Sequence, residues 1–76
     1  MARFYFDVQR DEIDEPDLVG TELLARTLVP DLALELALEI AREALPRMMK
    51  IIISVRDGEP APVFQATLLL DGKWHR

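Results

Sequence analysis

The sequence predicts a small α+β domain, in which a three- or four-stranded antiparallel sheet carries one α-helix on one face. Three segments alternate apolar and polar residues with the period of two that is typical of β-strands. One segment between them is rich in alanine, leucine and glutamate, which favour helices. The predicted order is β-(β)-α-β-β. No linker or repeat interrupts the 76 residues, so residues 1–76 are predicted to form a single domain.

The first strand is predicted in RFYFDVQ, residues 3–9, where Phe4, Phe6 and Val8 share one face and polar residues share the other. The charged segment RDEIDEPDLVG follows it and contains a proline and a glycine. This composition is typical of a loop. A short returning strand around Leu18 to Leu23 is a further option.

Two more strands are predicted after the helix, in MMKIIISVRD and VFQATLLLDGKW. The pair Asp57-Gly58 marks a tight turn between them, which indicates an antiparallel hairpin with a longish loop. Each strand has an apolar face, formed by Met49, Ile51, Ile53 and Val55 in the first and by Phe64, Ala66, Leu68 and Leu70 in the second.

The stretch DLALELALEI, residues 31–40, can be interpreted in two ways because leucine or isoleucine occupies every second position. On a helical wheel, however, the charged residues form one narrow stripe and the alanines lie together away from it, which favours a helix. Its start has two options: Thr27 caps a helix with Pro30 in the first turn, or Asp31 caps a helix that begins after the proline. Pro46 is predicted to end the helix near Leu45.

The helix has more apolar surface than one small sheet covers. Its apolar arc spans roughly 200°, whereas packing on a sheet uses little more than about 100°. Burial of a leucine contributes about 1.5–3 kcal/mol, so we expect a homodimer that buries the excess. In the alternative, the loop of residues 10–30 folds over the helix. The predicted interface residues are Leu34, Leu36, Leu38, Ile40, Leu45 and Trp74.

For Trp74 the pattern favours a second interpretation over an interface role, in which its ring folds back to seal the edge of the sheet. The composition also bears on self-association. The chain has no cysteine and one histidine, His75, so disulfides are excluded and a structural zinc site has almost no ligands. No metal or cofactor is expected. Oligomerisation is then the usual way for such a small domain to gain stability.

The net charge of −5 is concentrated at the start of the chain, because residues 1–22 hold seven acidic and two basic side chains. Without a basic stripe, nucleic-acid binding is not expected. No apolar run is long enough for a signal peptide or a membrane span. We therefore expect a soluble, cytoplasmic protein that does not bind membranes.

Candidate chemistry is sparse in this sequence. The acidic residues of the first loop offer oxygen ligands for a hard cation but lack the spacing of an EF-hand, and a solvated acidic loop is the preferred interpretation. The sequence shows no histidine that could act as the base for Ser54. The three glycines are isolated in turns and do not form a glycine-rich phosphate-binding loop. The protein is therefore expected not to be an enzyme. The acidic residues concerned are Asp11, Glu12, Asp14, Glu15 and Asp17.

Four segments resemble a group of very short proteins of unknown function from rhizobia and related alphaproteobacteria: RFYFDVQRD, DLVGTEL, EIAREALP and IIISVRDGEPAPVFQATLLL. The resemblance implies the same strand and helix order and brings no catalytic residues. This chain departs from the pattern in two places. Arg10-Asp11-Glu12 stands where a glycine-containing turn is usual, and Pro30 falls within a segment that is often continuous helix.

DLVG and LALEIAREAL are also similar to segments of HicB-type antitoxins, although the chain has no room for the DNA-binding tail that those proteins commonly add. This likeness implies a second function, in which an acidic antitoxin-like or regulatory subunit binds and masks a basic protein. The leading hypothesis remains a homodimeric structural or interaction module without catalytic activity.

Overall fold

The computed structural model describes residues 1–44 and 47–76, and these residues form one helix packed on a five-stranded antiparallel sheet. The α+β class is therefore confirmed, with more strands than the three or four predicted. A 3₁₀ turn, Arg26–Leu28, leads into the helix. The elements are β1 (Ala2–Arg10), β2 (Ile13–Glu15), β3 (Thr21–Leu23), α1 (Val29–Ala44), β4 (Met49–Arg56) and β5 (Phe64–Leu70).

The main path of the sheet runs β2-β1-β4-β5, and β3 pairs with the opposite end of β1 from β2. Phe4 lies opposite Thr21, and Val8 lies opposite Glu15. The predicted returning strand is confirmed at Thr21–Leu23. The segment RDEIDEPDLVG was predicted to be a loop, which was wrong for β2. This strand has only three residues, all exposed, so its sequence is too short to show the apolar–polar alternation of a strand.

The turn between β1 and β2 has an unusual backbone at Asp11, whose φ is 53°. Glycine adopts this left-handed region most readily, and aspartate is among the few other residues that tolerate it. Asp11 N donates to Lys50 O at 2.9 Å, and Asp11 Oδ1 accepts a bond from Lys50 N at 3.1 Å. These two bonds to β4 hold Asp11 in this conformation.

The helix α1 begins at Val29, so Pro30 lies in its first turn, as in the first of the two predicted starts. Thr27, the cap predicted with that start, lies instead inside the 3₁₀ turn that precedes the helix. Proline is accepted there because the first amides of a helix have no partner within it. Asp31 is inside the first turn and does not cap the helix. The predicted end at Pro46, near Leu45, lies outside the described residues.

The core lies between α1 and the two strands β4 and β5. The predicted alanine row faces the sheet and is buried, and the small side chains allow a close approach of the helix. Ile51, Ile53 and Val55 on β4 have no exposed surface, and Phe4 on β1 is also buried. The alanines are Ala33, Ala37, Ala41 and Ala44.

The hairpin of β4 and β5 is confirmed, with Ile53 opposite Ala66. Gly58 has a φ of +109°, and Asp57 Oδ1 accepts a bond from Glu59 N at 3.3 Å, so Asp57-Gly58 does form the tight turn. Within the described residues, no helix combines the length with the apolarity that a bilayer crossing requires.

Candidate interaction surface

The two edges of the sheet differ, because one is closed by the chain itself. Along the β1 edge, the segment between β2 and β3 is fixed by the carboxylate of Asp17. Its Oδ2 accepts a bond from Phe6 N at 3.0 Å, and its Oδ1 accepts bonds from Val19 N and Gly20 N, both at 3.0 Å. One side chain therefore bonds to the backbone of β1 and orders the turn that leads into β3.

Gly20 ends this turn with a φ of +81°, a region that favours glycine. A Cβ at this position would lie 2.9 Å from Arg3 Cγ and 2.9 Å from the ring of Tyr5. Both the backbone conformation and the close approach of these side chains therefore require glycine here.

A second carboxylate, that of Asp7, links the segment between β2 and β3 to strand β4. Arg56 donates to it twice, from Nε at 2.5 Å and from a terminal nitrogen at 3.0 Å, and Asp17 N donates to its Oδ1 at 2.8 Å. The guanidinium also lies over the ring of Tyr5, 5.0 Å from the ring centre. We call these groups the Asp7–Asp17–Arg56 network.

The network lowers the pKa of both carboxyl groups. For Asp7 the main cause is the hydrogen bond from Arg56, which outweighs the effect of partial burial. Partial burial is the largest single influence on Asp17 and would raise its pKa. The bonds from the backbone N–H groups of Gly20, Phe6 and Val19, together with the positive charge of Arg56, lower the pKa by more.

Stability is expected to depend on pH through this network. A carboxyl whose pKa is lowered by folding stabilises the protein above its unfolded value, here 3.8, and this contribution is lost as the pH falls through the lower folded value. We therefore expect Asp7→Asn to be less stable than the native chain at pH 7 and this gap to narrow below about pH 4. Urea unfolding at a series of pH values measures it, and a gap that stays constant to pH 2 would contradict the assignment.

The opposite edge of the sheet, formed by β5, is open. Within residues 1–44 and 47–76, no strand pairs with the outer side of β5. Its seven residues, FQATLLL, include neither a charge nor a proline. Natural proteins usually protect such an edge with lysine, proline, a bulge or a covering segment, since its free N–H and C=O groups can pair with another strand.

The helix-facing side chains of β5 are only partly buried, although those of β4 are fully buried. The flank of α1 beside them is also exposed, with Leu34 at 52% and Leu38 at 44% of their full accessibility. The other flank of α1 lies toward β1, because Leu32 and Leu36 line a depression shared with Phe6. Leu34 and Leu38 therefore lie on the β5 side.

These residues are the exposed or partly buried apolar side chains beside the open edge of the sheet, and we call them the α1–β5 surface. It consists of Leu34, Leu38, Phe64, Ala66, Leu68 and Leu70. Leu36 and Ile40, which were predicted to share an interface with Leu34 and Leu38, are on the opposite flank and are partly buried, as the β5 side chains are. Their part in an interface stays a prediction. Leu45 lies outside the described residues.

Trp74 is exposed and lies after β5, outside any strand or helix. Its ring therefore does not fold back to seal the sheet edge, which was the favoured interpretation of this residue. The loop alternative also fails for the α1–β5 surface. The apolar side chains that were expected to cover the helix are themselves exposed: Leu18, Val19, Leu24 and Leu28. Only Leu23 and Val29 from that segment join the core.

The acidic loop residues do not converge on one point. No three carboxylate or histidine side chains among the described residues are grouped as a metal site would require. Asp11 and Asp17 accept backbone hydrogen bonds, and Glu15 pairs with Arg10. The sequence pattern showed the density of acids but gave no indication that they bond to their own backbone and strands.

Comparison with known proteins gives a family and no function. No curated protein and no solved structure matches the chain at a significant level. The family match extends from Arg3 in β1 to Leu69 in β5 and so includes the Asp7–Asp17–Arg56 network and nearly all of the open edge. Residues 3–69 match the model of a domain of unknown function, DUF6894, and the chain belongs to this family.

Proposed function

We propose that this protein is a non-catalytic homodimeric interaction module whose two copies associate through the α1–β5 surface. The observation that carries the proposal is the position of the exposed apolar residues. Leu34 and Leu38 lie beside the uncharged edge strand β5, so helix flank and strand edge form a single surface. Contiguous exposed apolar surfaces of soluble proteins commonly mark sites of association.

The other side of the molecule supports the choice of this surface. The β1 edge already has β2, β3 and the Asp17 turn as partners. The strands at that edge, β2 and β3, have only three residues each, so β5 is the longer edge for pairing with a second copy. A twofold arrangement is the commonest one for soluble homo-oligomers, and it brings the same patch of each copy together.

Two groups that could serve catalysis have structural surroundings that favour the non-catalytic proposal. Ser54 Oγ accepts a bond from Gln65 Nε2 at 2.9 Å on the open face of the sheet. His75 is exposed in the segment after β5, outside any strand or helix. A serine nucleophile needs a base within hydrogen-bonding distance. In the described part of the chain, Ser54 and His75 are not hydrogen-bonded to each other, and the bond to Ser54 comes from a glutamine.

The proposal predicts that Leu34→Glu weakens self-association. Burial of a leucine contributes about 1.5–3 kcal/mol, so its loss should raise the dimer dissociation constant about tenfold or more. Sedimentation velocity over a range of concentrations measures this change. Glutamate favours helices and Leu34 is exposed, so the variant should fold normally, which far-UV circular dichroism checks.

Leu24→Glu is the matched control, since it makes the same change at an exposed leucine outside the α1–β5 surface. It should leave the dissociation constant unchanged. Equal effects of both variants would mean that added negative charge, and not the loss of an interface residue, weakens association. Such a result would contradict the assignment of the interface.

A basic protein partner remains the second candidate, supported by the net charge of −5. The acidic segment offers such a partner fewer free carboxylates than its composition indicates. Arg3 pairs with Glu22, Arg10 with Glu15 and Arg56 with Asp7. The homodimer therefore explains more of the observed surface.

A further inference from the structure

We infer that the two copies join their sheets edge to edge, with the β5 strands antiparallel and the twofold axis at Thr67. This inference rests on the proposed homodimer and specifies its geometry. Pairing the two open edges would make one continuous sheet with both helices on the same face. The N–H and C=O groups on the outer side of β5 would then gain partners along the whole strand.

Symmetry restricts the register of this pairing. Residues directly opposite each other in an antiparallel pair have side chains on the same face of the sheet. A twofold axis perpendicular to the sheet must therefore pass midway between the two copies of one residue, which lie opposite each other. Each of the other residues then pairs with a residue that is an even number of positions away in the sequence. Of the central positions in Phe64–Leu70, only Thr67 pairs all seven residues of the strand.

The side chains fit this register on both faces. On the open face, Thr67 would lie opposite its own copy, and threonine pairs are among the favourable cross-strand contacts. On the helix face, Phe64 would lie opposite Leu70, and Ala66 opposite Leu68. The next residue after the strand, Asp71, would lie opposite Val63, so no like charges meet there.

The helix flanks extend the same contact. A twofold axis through Thr67 turns the β5 side of each α1 toward the other copy, so Leu34 and Leu38 of the two copies face each other across the new sheet. Each chain exposes 5771 Å², and a stable interface buries roughly a tenth to a sixth of such a surface on each side. The seven-residue edge of β5 and the helix flank with Leu34 and Leu38 are the surfaces available for this contact.

A second copy fits this edge better than a strand from an unrelated protein. The β5 strand is uncharged, so two copies can approach each other without repulsion. Both copies are seven residues long, so every residue of one strand has a partner in the other. A foreign strand would leave the purified chain monomeric, which the experiment below detects.

Disulfide trapping tests the register directly, because the chain has no cysteine of its own. Opposite residues in an antiparallel pair have Cα atoms about 4.5–5.5 Å apart, within the range that a disulfide spans. Thr67 is exposed, so Thr67→Cys should fold and should form a covalent dimer on mild oxidation, seen on a non-reducing gel.

Gln65→Cys and Leu69→Cys are the matched controls on the same exposed face. In the inferred register, each of these residues lies about four residues, or roughly 13 Å, from its own copy, too far for a disulfide. Neither variant alone should cross-link, but a mixture of the two should, because Gln65 of one copy lies opposite Leu69 of the other.

Sedimentation of the unoxidised proteins separates this inference from the proposal on which it rests. A dimer whose Thr67→Cys variant fails to cross-link would overturn the edge-to-edge register and leave the homodimer standing. Cross-linking of Gln65→Cys or Leu69→Cys alone would also overturn the register. A monomer at all concentrations would overturn both.

Discussion

Ile53→Ala should lower the free energy of unfolding by about 2–5 kcal/mol, the largest effect we expect from a single core substitution in this chain. Ile53 lies in the middle of β4 with no exposed surface. It pairs with Val8 on one side and Ala66 on the other. Truncation would remove buried methyl groups and leave a cavity between the sheet and α1. A 76-residue domain has a small free energy of unfolding, so a large fraction of the Ile53→Ala molecules should be unfolded at room temperature.

Urea denaturation followed by circular dichroism measures the change. Ile13→Ala is the matched control, because Ile13 is 65% exposed on the short edge strand β2. It should change the free energy of unfolding by no more than about 0.5 kcal/mol. Similar losses in both variants would contradict the placement of the core between α1 and β4.

Asp17→Ala should have the second-largest effect, a loss of about 1–3 kcal/mol in the free energy of unfolding. The substitution removes the acceptor of three backbone N–H groups, those of Phe6, Val19 and Gly20. The bond from Phe6 is partly buried, so water can replace the lost carboxylate only incompletely. Amide hydrogen exchange should show faster exchange at Phe6 and Gly20 than in the native chain.

Two further variants separate the role of the acceptor from that of the charge. Asp17→Asn keeps one side-chain oxygen that can accept hydrogen bonds, so its stability should lie between those of the native chain and Asp17→Ala. Asp14→Ala removes an exposed carboxylate from the adjacent strand β2 and should have little effect. If Asp14→Ala were as costly as Asp17→Ala, acidic composition and not the Asp17 turn would stabilise this segment.

The elements with long periodic patterns could be predicted from the sequence. In β1, β4 and β5, alternate residues carry the apolar face, and the alanine row of α1 identified the side of the helix that meets the sheet. Local residue types decide these features, so no knowledge of distant partners is needed. The strand β2 and the start of α1 depended on contacts beyond their own segments and were harder to place.

The candidate surface could be predicted only in part. The excess of leucine was visible on the helical wheel, but the wheel shows a single helix and not which flank its neighbours cover. Leu36 and Ile40 are on the flank beside β1 and are partly buried, whereas Leu34 and Leu38 are exposed. The open edge of β5 could not be recognised before the strand order was known.

The Asp7–Asp17–Arg56 network was missed for a similar reason. Its members are far apart in the chain, with Arg56 lying 49 residues from Asp7. In the sequence, Asp7 and Asp17 were simply two of many acids near the start. Strand pairing, which places Tyr5 opposite Arg56 and Asp7 opposite Ser54, brings the charges together, and only the register shows this.

Sedimentation equilibrium of the native chain at micromolar concentration is the most direct test of the central claim, that two copies of the chain associate. We expect a species of twice the chain mass of 8.7 kDa, in exchange with the monomer on dilution. A single species of 8.7 kDa at every concentration would contradict the claim, and the apolar surface beside β5 would then need another explanation.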